Sequence, residues 1–279
     1  ASAGNIPVLF ITGNADSHMQ VRSLASVALD KSRNRSGKKK VNFQYFTISF
    51  NEELSALYGP VLEKQSEFAK HCIKRIIQLY SNIKSESQRP KSVLVIGNSM
   101  GGIVARSILV PSSKINFDLS LVHTIITQAS PHNKPVVNYD LEINNFYEKL
   151  NKFWQNKNET RLNNVILVSL YGGFRDILVR AGLANINEWK TKSAASIISA
   201  QTISLPHVWR SVDHRCMSWC KELVLATNRA LFDLVDYENT KQIVEDRLVR
   251  ENVFKYYFER GFKKSKIENL IYSSKTHDV

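Results

Sequence analysis

Three cysteines in 279 residues are too few for a disulfide framework, and Cys72, Cys216 and Cys220 lack the paired C-x-x-C spacing of a zinc site. They read as core or helix-face thiols. No stretch reaches the roughly 18 uninterrupted apolar residues that a membrane-spanning helix needs. The chain opens on Ala1 with neither an initiator Met nor a signal-peptide pattern, so an excised or processed soluble segment is expected. Internal repeats and low-complexity linkers are also missing. Acidic residues are in deficit: 25 Asp plus Glu against 38 Lys plus Arg leave a net charge of +13. That balance favours an anionic partner, either a phospholipid surface or a nucleic acid. The densest basic cluster, KSRNRSGKKK at 31–40, carries no aromatics to stack on bases, which turns the expectation away from nucleic acid. A solvated loop is the plain reading of that cluster, and a membrane-surface contact the functional one.

What is present is apolar. A 31.8 kDa chain with 43% hydrophobic residues can bury a large core, and its length suits one domain. Apolar strand-like segments alternate with segments of helical period, the pattern of an α/β protein with a mostly parallel central sheet and helices on both faces. Strands are expected at 6–13, 41–50, 92–97, 121–130 and 164–173, with a further candidate at 195–204. Helices are expected at 17–30, 67–83, about 100–109 and 217–235, each from apolar residues recurring every three or four positions. The interval 133–160 breaks the alternation. Its Phe146, Leu150, Phe153 and Trp154 are spaced helically, as in an ordinary surface helix or in a cap inserted over an apolar pocket. Two glycosylation sequons, at Asn34 and Asn158, lie in polar contexts and permit a secretory compartment.

The most informative stretch is VLVIGNSMGG at 93–102, a buried strand that stops at a serine held between glycines. Strand, G-x-S-x-G, helix is the order of a nucleophile elbow, in which a tight, strained turn exposes Ser99 at the edge of an α/β-hydrolase sheet. The backbone N–H of Met100, at the helix start, would face the oxyanion formed when Ser99 attacks a carbonyl. The second donor is expected in the loop after the first strand, from the N–H of Asn14 or Ala15. A serine needs a base and a residue to orient it, in the chain order Ser, Asp, His. His277 lies in a polar tail and His207 follows Pro206, whereas His214 sits in a loop entering a helix, so His214 is the expected base. Asp176, in the turn after the fifth strand, is the expected acid; Asp140 is its competitor, and Asp213 lies too close in sequence to His214. This chemistry calls for no metal and no cofactor.

Several segments together resemble a known family. VLFITGNADSHMQVRSLAS, FNEELSALYG, GNSMGGIVAR, TQASPHNKP, VSLYGGFRDILVRAGL, WRSVDHRCMSWCKELVLATNRALFDLVD and NTKQIVEDR are similar, in this order, to the lumenal hydrolase domain of GPI inositol-deacylases. The resemblance runs from about residue 7 to 250. It implies an α/β-hydrolase that removes the acyl chain from the inositol of GPI anchors at the lumenal side of the endoplasmic reticulum membrane. It puts the nucleophile on Ser99, the histidine on His214 and the acid on Asp176. The implied partners are a GPI lipid or GPI-anchored protein and a membrane surface. The sequence departs from the family at Asn98, where histidine is usual before the nucleophile, and at Asp16, an extra carboxylate in the first loop. The membrane helices that accompany the domain in the family do not occur in this chain. A general lipase or esterase and a non-catalytic lipid-binding module are the competing readings.

Overall fold

The computed structural model describes residues 5–37 and 40–259. Part of the basic cluster at 31–40, and His277, lie outside the described residues. Six strands form one parallel sheet: β1 (Asn5–Ile11), β2 (Asn42–Ile48), β3 (Leu94–Asn98), β4 (Thr124–Gln128), β5 (Ile166–Tyr171) and β6 (Ser196–Gln201), in the order β2-β1-β3-β4-β5-β6. Every strand expected from the sequence is found, mostly shorter than expected, although β1 starts one residue earlier and β3 ends one residue later.

Strands covered on both faces must be apolar on both, and the period of two sorts their side chains. Val8, Phe10, Leu94, Ile96, Ile126, Ile166 and Val168 enter one core. Leu9, Ile11, Val95, Ile125 and Leu167 enter the other. The first core is closed by α1 (Arg22–Arg33), α6 (Lys221–Asp233) and α7 (Arg247–Phe258). The second is closed by α2 (Gly59–Gln78), α3 (Met100–Ser107) and α4 (Leu141–Trp154), while α5 (Ala181–Ala184) is a single turn beside β5. In the 133–160 interval, α4 buries Ile143, Tyr147, Leu150 and Trp154 in the same core as α2 and α3. The expected helix at 67–83 begins earlier, at Gly59, because Pro60 fits the first turn where no backbone donor is needed.

The last helix, α7, was not expected from the sequence. Its buried Arg250, Val253, Phe254 and Phe258 follow the helical period, but a buried arginine interrupts the apolar stripe. Arg250 reaches under the sheet, where its guanidinium donates to the carbonyls of His123 (2.7 Å), Asn164 (3.0 Å) and Glu245 (3.1 Å) and to Asn164 Oδ1 (2.6 Å). It also donates to His123 Nδ1 at 2.8 Å, which requires a neutral imidazole, and His123 is pushed down to about 3 by burial and then by the Arg250 charge. A histidine depressed in the folded state stabilises fully above its unfolded value near 6.5, and that contribution is lost as pH falls toward 3. The urea midpoint should therefore drop between pH 7 and pH 4.5, with about 2–3 kcal/mol of that loss arising from His123. The His123→Gln variant, which cannot take up the proton, should show a shallower decline.

Candidate active site

In a parallel sheet all strands end at the same edge, and a crevice opens where the strand order reverses. Here the chain runs from β1 out to β2 and returns to β3 on the other side of β1, so the crevice lies beyond the ends of β1 and β3. Ser99 follows β3 directly, and its backbone is held at φ 53° and ψ −125°, a strained conformation for a residue with a side chain. Its N–H is anchored to the Gln128 carbonyl at 2.7 Å. α3 starts at once, pressed against the end of β1. A Cβ on Gly101 would meet the carbonyl oxygens of Ile11 and, at 2.5 Å, Thr12, neither of which can move without opening the sheet.

His214, on the loop between β6 and α6, brings Nε2 to 3.0 Å from Ser99 Oγ. Its Nδ1 lies 3.2 Å from Asp176 Oδ2. In the neutral tautomer, Nδ1–H donates to the carboxylate and Nε2 accepts from the serine hydroxyl. The Asp176 side chain is fully buried and the imidazole 12% exposed. Asp176 Oδ1 accepts from the Val179 N–H at 2.8 Å, which fixes the carboxylate. Asp140 is elsewhere: it caps α4 through the Glu142 N–H and accepts from the Gly59 N–H at 2.5 Å, tying α4 to α2.

The N–H of Met100 opens α3, and the N–H of Asn14 stands in the β1 loop; neither has a hydrogen-bond partner among the described residues. The N–H of Ala15, the alternative donor, is engaged with the Glu53 carbonyl at 3.1 Å. The Asn14 side chain holds the loop instead, accepting from the Ala56 N–H at 2.8 Å.

The two departures noted in the sequence, Asp16 and Asn98, meet beside the nucleophile. Asn98 Nδ2 donates to Gln20 Oε1 at 3.2 Å, and both side chains lie near the Asp16 carboxyl and favour its charged form. A Cβ on Gly13 would lie 2.6 Å from both Asp16 Oδ2 and Ser99 Cβ, which measures how close carboxylate and serine are. Burial raises the Asp16 carboxyl above its usual range, against the opposing effects of His214, Gln20, Asn98 and Arg215. Gln20 was not singled out from the sequence; its spacing of four from Asp16 was the available signal.

A family model described as "PGAP1-like alpha/beta domain" matches residues 2–234. The chain belongs to that family. Among curated relatives of this PGAP1-like domain, the GPI inositol-deacylase of Xenopus laevis is 44% identical over 257 residues, 91% of this chain and 26% of that one. The GPI inositol-deacylase of Mus musculus is 42% identical over 264 residues, 95% of this chain and 27% of that one. The chain thus spans about a quarter of the length of these relatives. Among solved structures, phospholipase PlaB from Legionella pneumophila aligns at a TM-score of 0.55 with 14% identity, over 97% of this chain and 64% of that one. A truncated carbohydrate esterase from gut microbiota aligns at 0.51 with 10% identity, over 80% and 84%. The fold of the PGAP1-like domain is that of the α/β-hydrolases.

Because backbone oxygens crowd the Gly101 Cβ position, Gly101→Ala should destabilise the domain by about 2 kcal/mol or more. Chemical denaturation measures the loss. A wild-type midpoint would mean that α3 and β1 can separate without cost.

Proposed function

We propose that this domain hydrolyses the ester between a fatty acid and the inositol of a GPI anchor, with Ser99 as nucleophile, His214 as general base and acid, and Asp176 as the residue that orients it. The observation that carries the reading is the hydrogen-bonded chain from Ser99 Oγ through His214 to the buried Asp176, starting on a strained turn at the sheet's switch point. Ser99 Oγ attacks the ester carbonyl as its proton passes to His214 Nε2. The negative charge forming on the carbonyl oxygen is stabilised by the N–H groups of Met100 and Asn14. The imidazolium returns the proton to the departing inositol oxygen, leaving the fatty acid on Ser99. Water, deprotonated by His214, then releases the acid and restores the serine.

The names of the 42–44% identical relatives support the GPI substrate. Such a lipid sits in a bilayer, so the domain works at a membrane surface, on the lumenal side of the endoplasmic reticulum by family analogy. Among the described residues no helix is long and apolar enough to cross a membrane. Asn34 and Asn158 of the sequons are both exposed, as glycosylation in that compartment requires. Within this single catalytic domain, the 133–160 interval flanks the acyl side of the site. Val136, Tyr139 and Leu141, just before and at the start of α4, are all exposed there.

Ser99→Ala should reduce fatty-acid release from inositol-acylated GPI in mixed micelles by a factor on the order of 10⁴ or more with the fold retained. Asp176→Asn should reduce kcat by roughly 10⁴ through the wrong imidazole tautomer. Asp140→Ala should lower Tm and leave kcat unchanged. A silent Asp176→Asn beside a damaging Asp140→Ala would reverse the assignment of the acid. Selectivity tests the substrate: kcat/KM on inositol-acylated GPI should exceed that on a triglyceride or a p-nitrophenyl ester, and the advantage should shrink as salt screens the phosphate. Equal efficiency on neutral esters with no salt response would favour a general lipase.

A further inference from the structure

The rim of the crevice is chemically divided. On the α1 and α6 side of the sheet lies a solvent-open cavity of about 650 Å³, walled by the β1 loop, the first turns of α1 and the turn after His214. Its lining is mostly polar, with Asp16, Gln20, Arg22 and Arg215 beside Met19 and Trp219, the last 60% exposed. Among the described residues, neither Arg22 nor Arg215 has a carboxylate within salt-bridge distance. The cavity lies beside the catalytic residues, since Asp16 Oδ2 and Ser99 Cβ both crowd the Gly13 Cβ position and Arg215 follows His214 in the chain. On the α2 and α4 side, two loops that touch through Gly59 and Asp140 display Leu57, Tyr58, Tyr139 and Leu141, the last two 95% and 74% exposed.

An acyl chain has no favourable place among two arginines and a carboxylate, and a phosphorylated polyol has none among leucines. Guanidinium groups match phosphate oxygens in paired hydrogen bonds. A carboxyl and an amide side by side suit neighbouring hydroxyls, and an exposed indole suits the C–H face of a saturated ring. We propose that the cavity between α1 and the His214 turn is the leaving-group subsite, which takes the phosphorylated polyol headgroup while the acyl chain lies across Ser99 on the apolar side. Arg22 and Arg215 hold the phosphate, and Asp16 and Gln20 hold ring hydroxyls. The departure at Asp16 then serves substrate positioning. This assignment rests on the hydrolase reading above, and its test has an arm independent of turnover.

The turnover arm compares kcat/KM for inositol-acylated GPI in mixed micelles with that for p-nitrophenyl butyrate in wild type, Arg22→Gln and Arg215→Gln. The ratio of lipid to p-nitrophenyl ester should fall at least tenfold in each variant, and Lys114→Gln, remote from the cavity, should keep the wild-type ratio. Arg22 stands on a different element from His214, so its variant separates headgroup binding from any disturbance of the imidazole. The binding arm uses Ser99→Ala protein and isothermal titration with myo-inositol 1-phosphate, inorganic phosphate and myo-inositol. Inositol 1-phosphate should bind more tightly than either fragment, and Arg22→Gln in the same background should weaken it tenfold. An unchanged ratio in Arg22→Gln, or inositol 1-phosphate bound no better than inorganic phosphate, would overturn the subsite. If wild type cleaves no ester, the hydrolase reading falls, and the binding arm alone decides whether the cavity recognises the headgroup.

Discussion

Everything at the catalytic edge depends on one close approach, the start of α3 against the end of β1. With hydrogen alone at Gly101, the first turn of α3 sits on the Ile11 and Thr12 carbonyls, and the chain between β3 and α3 has no room for a relaxed turn. Ser99 takes up the resulting strain at φ 53°. That strain lifts its side chain out of the sheet, and the Met100 N–H has no hydrogen-bond partner among the described residues. Two buried layers hold the arrangement in place, because α3 belongs to the core on one face of the sheet and β1 contributes to both.

The parallel topology does the rest. Since every strand ends at one edge, the β1 loop, the elbow, the turn after β5 and the loop after β6 meet there although they are far apart in sequence. His214 and Ser99 are separated by 115 positions and Asp176 and His214 by 38, yet they share one chain of hydrogen bonds. The helices on the two faces leave the two flanks of the crevice with different chemistry. The flank by α1 carries arginines and hydroxyls, and the flank by α2 and α4 carries exposed leucines and tyrosines. An amphipathic ester laid across Ser99 would find a matching surface on either side.

Much of this was legible in the sequence, for reasons that can be named. A strand buried on both faces must be a continuous apolar run, so all six stand out by composition. Gly97 is dictated by the neighbouring Gly101 and Gly102 backbone, which makes part of the elbow readable locally, whereas Gly101 answers to the distant Ile11 and Thr12 carbonyls. α7 escaped notice because its buried face includes Arg250, whose charge is satisfied by carbonyls of the sheet edge that no local pattern displays. The early start of α2 was hidden because Gly59 and Pro60 read as loop punctuation, and Pro is tolerated there only because the first-turn donors have no helical partner.

The sequence by itself determined the layered α/β fold, the glycine-flanked serine turn and the three residue types in chain order, because these are carried by apolar periodicity and by residue types at fixed spacing. Tertiary structure decided what depends on distance. Asp176 stands beside His214, and Asp140 caps a helix, because β5 ends next to the His214 loop while the loop after β4 turns toward α2. Among the described residues the Asn14 N–H has no partner while the Ala15 N–H does, because Glu53 of a distant loop comes within hydrogen-bond reach of one and not the other. Asp16 and Asn98 look like unrelated departures along the chain. They form one cluster because β1 and β3 are neighbours in the sheet, a pairing fixed by the packing of both cores around them.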